Sequence, residues 1–210
     1  MTKIASTAAP GSARRRRPGY DGESILAVAV EVFNRHGYEG TSMGLLAEYL
    51  GISKAGIYYH VPSKEDLLQR ACDRALRALE SALEEEQAPG LTARQRLEGM
   101  VRHAVLVLDE ELPYVTLLLR VRGNTEVERA ALERRRAFDQ RFSALVEDAC
   151  AEGALRADID ARTITRFIYG TINSLVEWYR PGGPIAARAL ADSLVTVLFH
   201  GLDAPAPPTA

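Results

Sequence analysis

Residues 41–68, TSMGLLAEYLGISKAGIYYHVPSKEDLL, constrain the chain more than any other stretch. Two short runs with helical apolar spacing are separated by one glycine, which leaves room only for a tight turn. Thr41 or Ser42 supplies a hydroxyl that can satisfy an orphan N–H in the first turn of the first run. Met43, Leu46, Ala47 and Leu50 then form its apolar stripe. Gly51 falls just past the last apolar position, where a left-handed residue is needed to turn the chain. Ile52 re-enters the core, and Ser53 caps the second run. The expected structure is helix, glycine turn, helix.

The surface of the second helix is unusual. Lys54, Ala55 and Gly56 stand at its start, Tyr58, Tyr59 and His60 at its end, and only Ile57 reads as internal. A charged donor, two small residues that allow close approach and three polar aromatics suit a helix whose N-terminal end enters the DNA major groove. Lys64 follows, within reach of a phosphate. Each tyrosine taken alone reads equally well as a core residue; their grouping with Lys54, Gly56, His60 and Lys64 favours the DNA-facing reading.

On these residues the chain resembles the TetR/AcrR family of one-component transcriptional repressors. The resemblance covers about residues 22–70, including AVEVFNRHGYEGTSM, LAEYLGIS and IYYHVPSKEDLL; the remainder resembles the family only in helical layout. It implies a three-helix DNA-binding domain over residues 21–68 and a ligand-binding and dimerisation domain over 69–202. It also implies that the GYEGTS segment brings the next helix's N-terminus, with Thr41 and Ser42, onto the DNA backbone. The partners expected are a double-stranded palindromic operator, a small-molecule effector and a second copy of the chain.

Composition agrees with an all-α fold of about nine helices: alternating strand patterns are scarce, and Ala, Leu, Glu and Arg dominate. No apolar run approaches the roughly 18 residues of a membrane helix. The N-terminus lacks the apolar region of a secretory signal, so a cytoplasmic protein is expected. Cys72 and Cys150 lack metal-ligand spacing and read as reduced thiols. No cofactor, metal site or catalytic motif (GxSxG, HExxH, phosphate loop, dinucleotide fingerprint) is present, so an enzyme is not expected. Residues 1–70 hold nine Lys/Arg against seven Asp/Glu and the rest 17 against 21, a mild asymmetry in the direction a DNA reader needs. Residues 1–20, with four arginines at 14–17, read as a disordered basic arm that either follows phosphates or is simply solvated; residues 203–210 read as a disordered Pro/Ala tail.

Beyond the reader, a helix from Ser63 to about Glu86 runs from the DNA side into the second domain and is the natural mechanical link. Helices follow at residues 92–108, 113–119 and 126–152, then 161–179 and 185–199. The last two carry more apolar surface than one core needs, so a four-helix interface with a second copy is expected. Arginines are dense from Arg120 to Arg141; most read as partners of nearby acids on a wet face, with surplus charge left for an anionic ligand. The LLLRVRGN and ERRRAFDQRF segments are similar to those of family members that sense acyl-coenzyme A thioesters, which makes His103, Arg120, Arg122, Arg135, Phe138, Phe142, Tyr169, Asn173 and Trp178 the pocket candidates. A hydrophobic drug or antibiotic is the rival effector, and a helical dimer without DNA contact the rival function.

Overall fold

The computed structural model of the chain describes residues 20–85 and 90–202; the arginines at 14–17, the turn at 87–89 and the tail at 203–210 lie outside the described residues. Among the described residues all regular structure is helical, in the order α1 (Gly22–His36), α2 (Met43–Leu50), α3 (Lys54–Tyr58), α4 (Lys64–Glu85), α5 (Ala93–Arg120), α6 (Glu126–Ala151), α7 (Ala161–Trp178) and α8 (Ala187–His200).

Local signals start and stop these helices. Asp21 caps α1 by accepting from the Ser24 N–H at 2.8 Å, and Ser42, not Thr41, caps α2 by accepting from Leu45 at 3.1 Å. Gly51 ends α2 in the left-handed region at φ 63°, which is the conformation its place in the sequence demanded. Ser53 caps α3 through the Gly56 N–H at 3.1 Å. Thr92 and Gln95 form a reciprocal capping box at the start of α5.

Packing holds the small N-terminal unit to the rest. Ile25, Ala29, Val30 and Phe33 of α1 are fully buried with Leu46 of α2, Ile57 of α3 and Val61, and Leu67, Leu68 and Ala71 of α4 carry the same apolar cluster on toward α5 and α6. The helix-turn-helix is therefore built on the first turns of α4.

The segments expected as separate helices at 92–108 and 113–119 form one element. Glu111 departs from helical geometry (φ −124°, ψ 23°), and Pro113 lies two residues on. Proline has no N–H for the carbonyl four residues back and its ring crowds that carbonyl, so α5 kinks without ending. Counting its arms separately restores the expected nine.

The turn between α5 and α6 is closed by the buried carboxylate of Glu128, which accepts from the N–H groups of Arg122, Gly123 and Asn124 at 2.9, 2.7 and 3.0 Å. Helices α7 and α8 both pack against this framework, α8 on α5 and α7 on α5 and α6, with little direct packing on one another. Cys72 is buried and unpaired, and burial pushes its thiol up to about 12, so it is not a thiolate at neutral pH.

Ile57 is the only buried side chain that five-residue α3 sends into the core. Ile57→Ala is expected to cost about 2–5 kcal/mol in urea unfolding followed by circular dichroism; a loss below about 0.5 kcal/mol would show that α3 is held by something else.

Candidate nucleic-acid interface and effector chamber

The side chains that the sequence grouped on one surface do meet there. Tyr59 is 85% exposed and Tyr58 51%, while Ile57 between them and α2 is fully buried. His60 stacks edge-on against Tyr59, with ring centroids 4.9 Å apart. Lys54, Ala55, Tyr58, Tyr59 and His60 are all exposed, and Gly56 is half-buried at the base of the helix. A Cβ at Gly56 would meet only ordinary contacts from 3.5 Å outward, so the glycine is not forced by local crowding.

Lys54 bends back over α2. A Cβ placed on Gly44 would lie 3.0 Å from the lysine Cε and 3.3 Å from its Nζ. The ammonium thus sits beside the first turn of α2, next to the Ser42 cap, where free N–H groups and the helix dipole also favour an anion. Gly44 is what allows that approach.

Two expected contact residues are used otherwise. Thr41 is buried, and its hydroxyl donates to the Gly37 carbonyl at 2.8 Å, fixing the loop after α1. Lys64 donates to the Tyr38 carbonyl at 3.1 Å with its ammonium 4.1 Å from the Tyr38 ring centre; it braces α4 on that loop and does not project outward.

In the C-terminal part, α4, α5, α6 and α7 enclose a chamber of about 160 Å³. Leu79, Met100, Leu108, Val115, Leu118 and Leu119 form much of its apolar wall, and Arg135, Phe138, Asp139, Phe142, Tyr169, Ile172 and Asn173 face it from α6 and α7. Five of the nine candidates are therefore brought together: Arg135, Phe138, Phe142, Tyr169 and Asn173. Phe142 and Tyr169 pack with centroids 4.7 Å apart.

The other four are not at the chamber. His103 Nε2 lies 3.3 Å from the Ser81 Oγ and 3.2 Å from the Ala78 carbonyl, tying α5 to α4. Arg120 donates to the Asn34 carbonyl of α1 at 2.7 Å. Arg122 points to solvent, its backbone held by Glu128. Trp178 is 51% exposed on α7, away from the chamber. Nor does the arginine-dense stretch pool its charge, since Arg134 pairs with Asp73 and Glu80 of α4 and Arg129 donates to the Gly123 carbonyl.

Asp139 is the chamber residue that the sequence reading assigned to a wet face. Arg135, Phe138, Asp139 and Phe142 follow the i, i+3, i+4, i+7 spacing of one helix face, so the signal was there. Burial raises the Asp139 carboxyl above its ordinary range, against the opposing pull of Tyr169 and Arg135. Burial and the nearby Asp139 also raise the Tyr169 phenol, whose hydroxyl is buried without a well-formed hydrogen bond.

Comparison with known proteins places this arrangement. Residues 25–71 match the family described as "Bacterial regulatory proteins, tetR family", and residues 90–202 match "Tetracyclin repressor-like, C-terminal domain". The chain belongs to the TetR family. It is a helix-turn-helix, DNA-binding transcription regulator of the repressor type, which sets aside the helical dimer without DNA contact. SCO3833, a TetR-family member from Streptomyces coelicolor A3, is 54% identical with a TM-score of 0.81, over 86% of this chain and 91% of that one. The transcriptional repressor KstR2 of Rhodococcus jostii is 27% identical over 86% of this chain and 90% of its own. AibR, solved in complex with isovaleryl coenzyme A and operator DNA, is 25% identical with a TM-score of 0.71, over 85% of this chain and 97% of that one. Among the described residues no helix is long and apolar enough to cross a membrane, and no cluster of three or more His, Cys, Asp or Glu could hold a metal.

A carboxyl whose pKa is raised on folding holds its proton more firmly in the folded state, so stability falls as pH rises through the interval between its unfolded and folded values. At neutral pH the Asp139 carboxylate is thus a net cost. Asp139→Asn is expected to raise the melting temperature at pH 7, with the gain over wild type shrinking toward pH 4; a lower melting temperature at pH 7 would contradict this assignment.

Proposed function

We propose that this protein is a homodimeric repressor, acting in the cytoplasm as a binding protein and not an enzyme, released from a palindromic operator when an acyl-coenzyme A thioester fills the chamber. The observation carrying the DNA assignment is the exposure of Lys54, Tyr58 and Tyr59 on a helix whose neighbouring Ile57 is locked in the core. Lys54 and the α2 N-terminus serve phosphates, Ser42 and His60 lie at the rim, and Ala55, Gly56, Tyr58 and Tyr59 face base edges. A two-fold dimer sets two such helices about 34–36 Å apart, or a multiple of that, to match successive major grooves.

The dimer surface is α7 with α8. Phe167 (64% exposed) and Trp178 on α7, Val197 on α8 and Ile185 in the connection between them leave large apolar side chains in solvent. A second copy covering them gives the four-helix interface that the sequence suggested.

Effector class rests on the apolar chamber and on what the relatives bind. Isovaleryl coenzyme A, bound by AibR, carries a short acyl group. An engineered cavity of about 150 Å³ lined by Leu, Ile and Phe holds benzene, so the chamber suits a group of roughly six carbons. The apolar wall also favours a second reading, a neutral hydrophobic drug or antibiotic.

Release works through α5 as well as α4. The chamber wall takes Leu108 from before the kink and Val115, Leu118 and Leu119 from after it, so a ligand presses on both arms. The second arm is bolted to α1: the Asn34 side chain donates to the Pro113 carbonyl at 2.8 Å, and Arg120 donates back to the Asn34 carbonyl. At the kink, Glu111 accepts from Arg74 of α4 at 2.7 Å, and Arg74 also reaches Glu23 of α1 at 3.4 Å. Opening the kink therefore moves the DNA-binding unit directly, and a coupling of a few kcal/mol is enough to change operator occupancy.

Tyr59→Ala with Lys54→Ala is expected to weaken binding to the protein's own promoter at least ten-fold at matched salt, with the melting temperature unchanged. The slope of log K against log salt should become shallower by about 1. Equal binding by variant and wild type would sink the reader assignment. Asn34→Ala with Arg120→Ala should keep effector affinity in the absence of DNA while reducing the coupling to operator by about 0.5–2 kcal/mol; undiminished coupling would return the linkage to α4 alone.

A further inference from the structure

A polar cleft of about 460 Å³ lies between α6 and α7, lined by Gln140, Ser143 and Glu147 on one side and Arg162, Thr165 and Arg166 on the other. Asp139 and Tyr169 line both this cleft and the apolar chamber, so the two spaces meet at these side chains. Arg162, Arg166, Tyr169 and Asn173 follow one stripe of α7 at steps of four, three and four residues. They mark a path of about 16 Å along the helix from the outer cleft to the chamber mouth.

Charge is distributed unevenly along that path. Inside, Asp139 stands against Arg135, and the chamber holds no uncompensated cation. Outside, neither the Arg162 nor the Arg166 side chain has an ion-pair partner among the described residues, and both are exposed. Glu147 is the one carboxylate of the cleft not already facing Arg135 or Tyr169, so two guanidinium groups oppose a single free acid. A ligand entering here meets cations first, a polar neck next and an apolar, electrically closed chamber last.

We propose that the α6–α7 cleft is the anion-holding half of the effector site, with Arg162 and Arg166 taking phosphate groups while the acyl chain lies in the chamber and the thioester in the neck. This deepens the acyl-coenzyme A reading and rests on it. Guanidinium groups bind phosphate oxygens in a bidentate, charge-assisted way, and in the cleft they remain solvated enough to do so without a large desolvation cost. A free carboxylic acid of the same chain length has its charge at the wrong place: seated in the chamber, its carboxylate would lie beside Asp139. The protein therefore distinguishes the activated thioester from the free acid by where each carries charge.

The test is calorimetric titration of the purified full-length protein with hexanoyl-coenzyme A, hexanoyl-pantetheine, which is the thioester without phosphates, and hexanoate. Wild type is expected to bind hexanoyl-coenzyme A at least ten-fold more tightly than the pantetheine thioester and a hundred-fold more tightly than hexanoate. Arg162→Gln with Arg166→Gln should weaken hexanoyl-coenzyme A at least ten-fold and leave hexanoyl-pantetheine unchanged. Asp139→Asn, which leaves Arg135 uncompensated, should strengthen hexanoate binding. If wild type binds hexanoyl-coenzyme A and the double arginine variant binds it equally well, the cleft assignment is overturned while the effector reading stands. If wild type binds neither hexanoyl-coenzyme A nor longer and shorter acyl homologues, the effector reading fails and takes the cleft assignment with it.

Discussion

A five-residue helix has no stability of its own. Isolated helices shorter than about 12–15 residues are marginal in water even with good helix formers, and α3 contains a glycine and two residues of lower propensity, Ile57 and Tyr58. It exists because Ile57 is buried, because Val61 follows it into the same cluster, and because Ser53 satisfies the Gly56 N–H. One anchored face leaves the other free, which is how two tyrosines come to stand in solvent at a cost that ordinary folding would not incur. The rest of the molecule supplies what holds that anchor: α1 behind it, α2 beside it and the opening turns of α4 beneath.

The same dependence explains the shape of α5. A straight helix over residues 93–120 could touch α1 or line the chamber along its length, but the bend at Glu111 lets its two arms do different things. The first arm packs in the C-terminal core, and the second returns to Asn34 of α1 through Pro113 and Arg120. Arg74 spans the bend from α4, stacking over Tyr114 at 4.3 Å while pairing with Glu111. Proline inside a helix is destabilising in isolation. Here the bent helix also presents Pro113's own carbonyl as an acceptor for the Asn34 side chain of the DNA-binding unit.

The sequence made the N-terminal unit legible because its signals are local: caps, a left-handed glycine and 3.6-residue spacing all act within a few residues. The chamber was half legible. Phe138, Phe142 and Tyr169 could be found because large apolar side chains on facing helices have few other places to go. Arg120, Arg122 and Trp178 were misplaced because charge and size say nothing of direction: Arg120 is drawn to the distant Asn34 carbonyl, Arg122 is carried outward on the turn that Glu128 closes, and Trp178 lies on the exposed face of α7. Thr41 and Lys64 were misread for the same reason, their bonds to Gly37 and Tyr38 being invisible to periodicity. The kink was misread as a break because Pro113 signals both, and only packing on both arms decides between them.

On the proposed effector reading, it is the polar corner of the chamber that gives the site its selectivity. Apolar wall contributes affinity roughly in proportion to the area it covers, whichever hydrophobe covers it, and so discriminates weakly between ligands of similar size. The buried Tyr169 hydroxyl, without a well-formed bond, and the desolvated Asp139 carboxyl are different. An unsatisfied buried polar group costs about 1–3 kcal/mol, and a ligand that supplies the missing partner recovers that cost only when its own polar atom arrives at that depth. Because Tyr169 and Asp139 sit where chamber and cleft meet, the recovered energy depends on the distance between a ligand's apolar end and its first polar group. On the proposed effector reading, a molecule of matching length recovers that cost, and the recovered energy is available to drive the two arms of α5 apart.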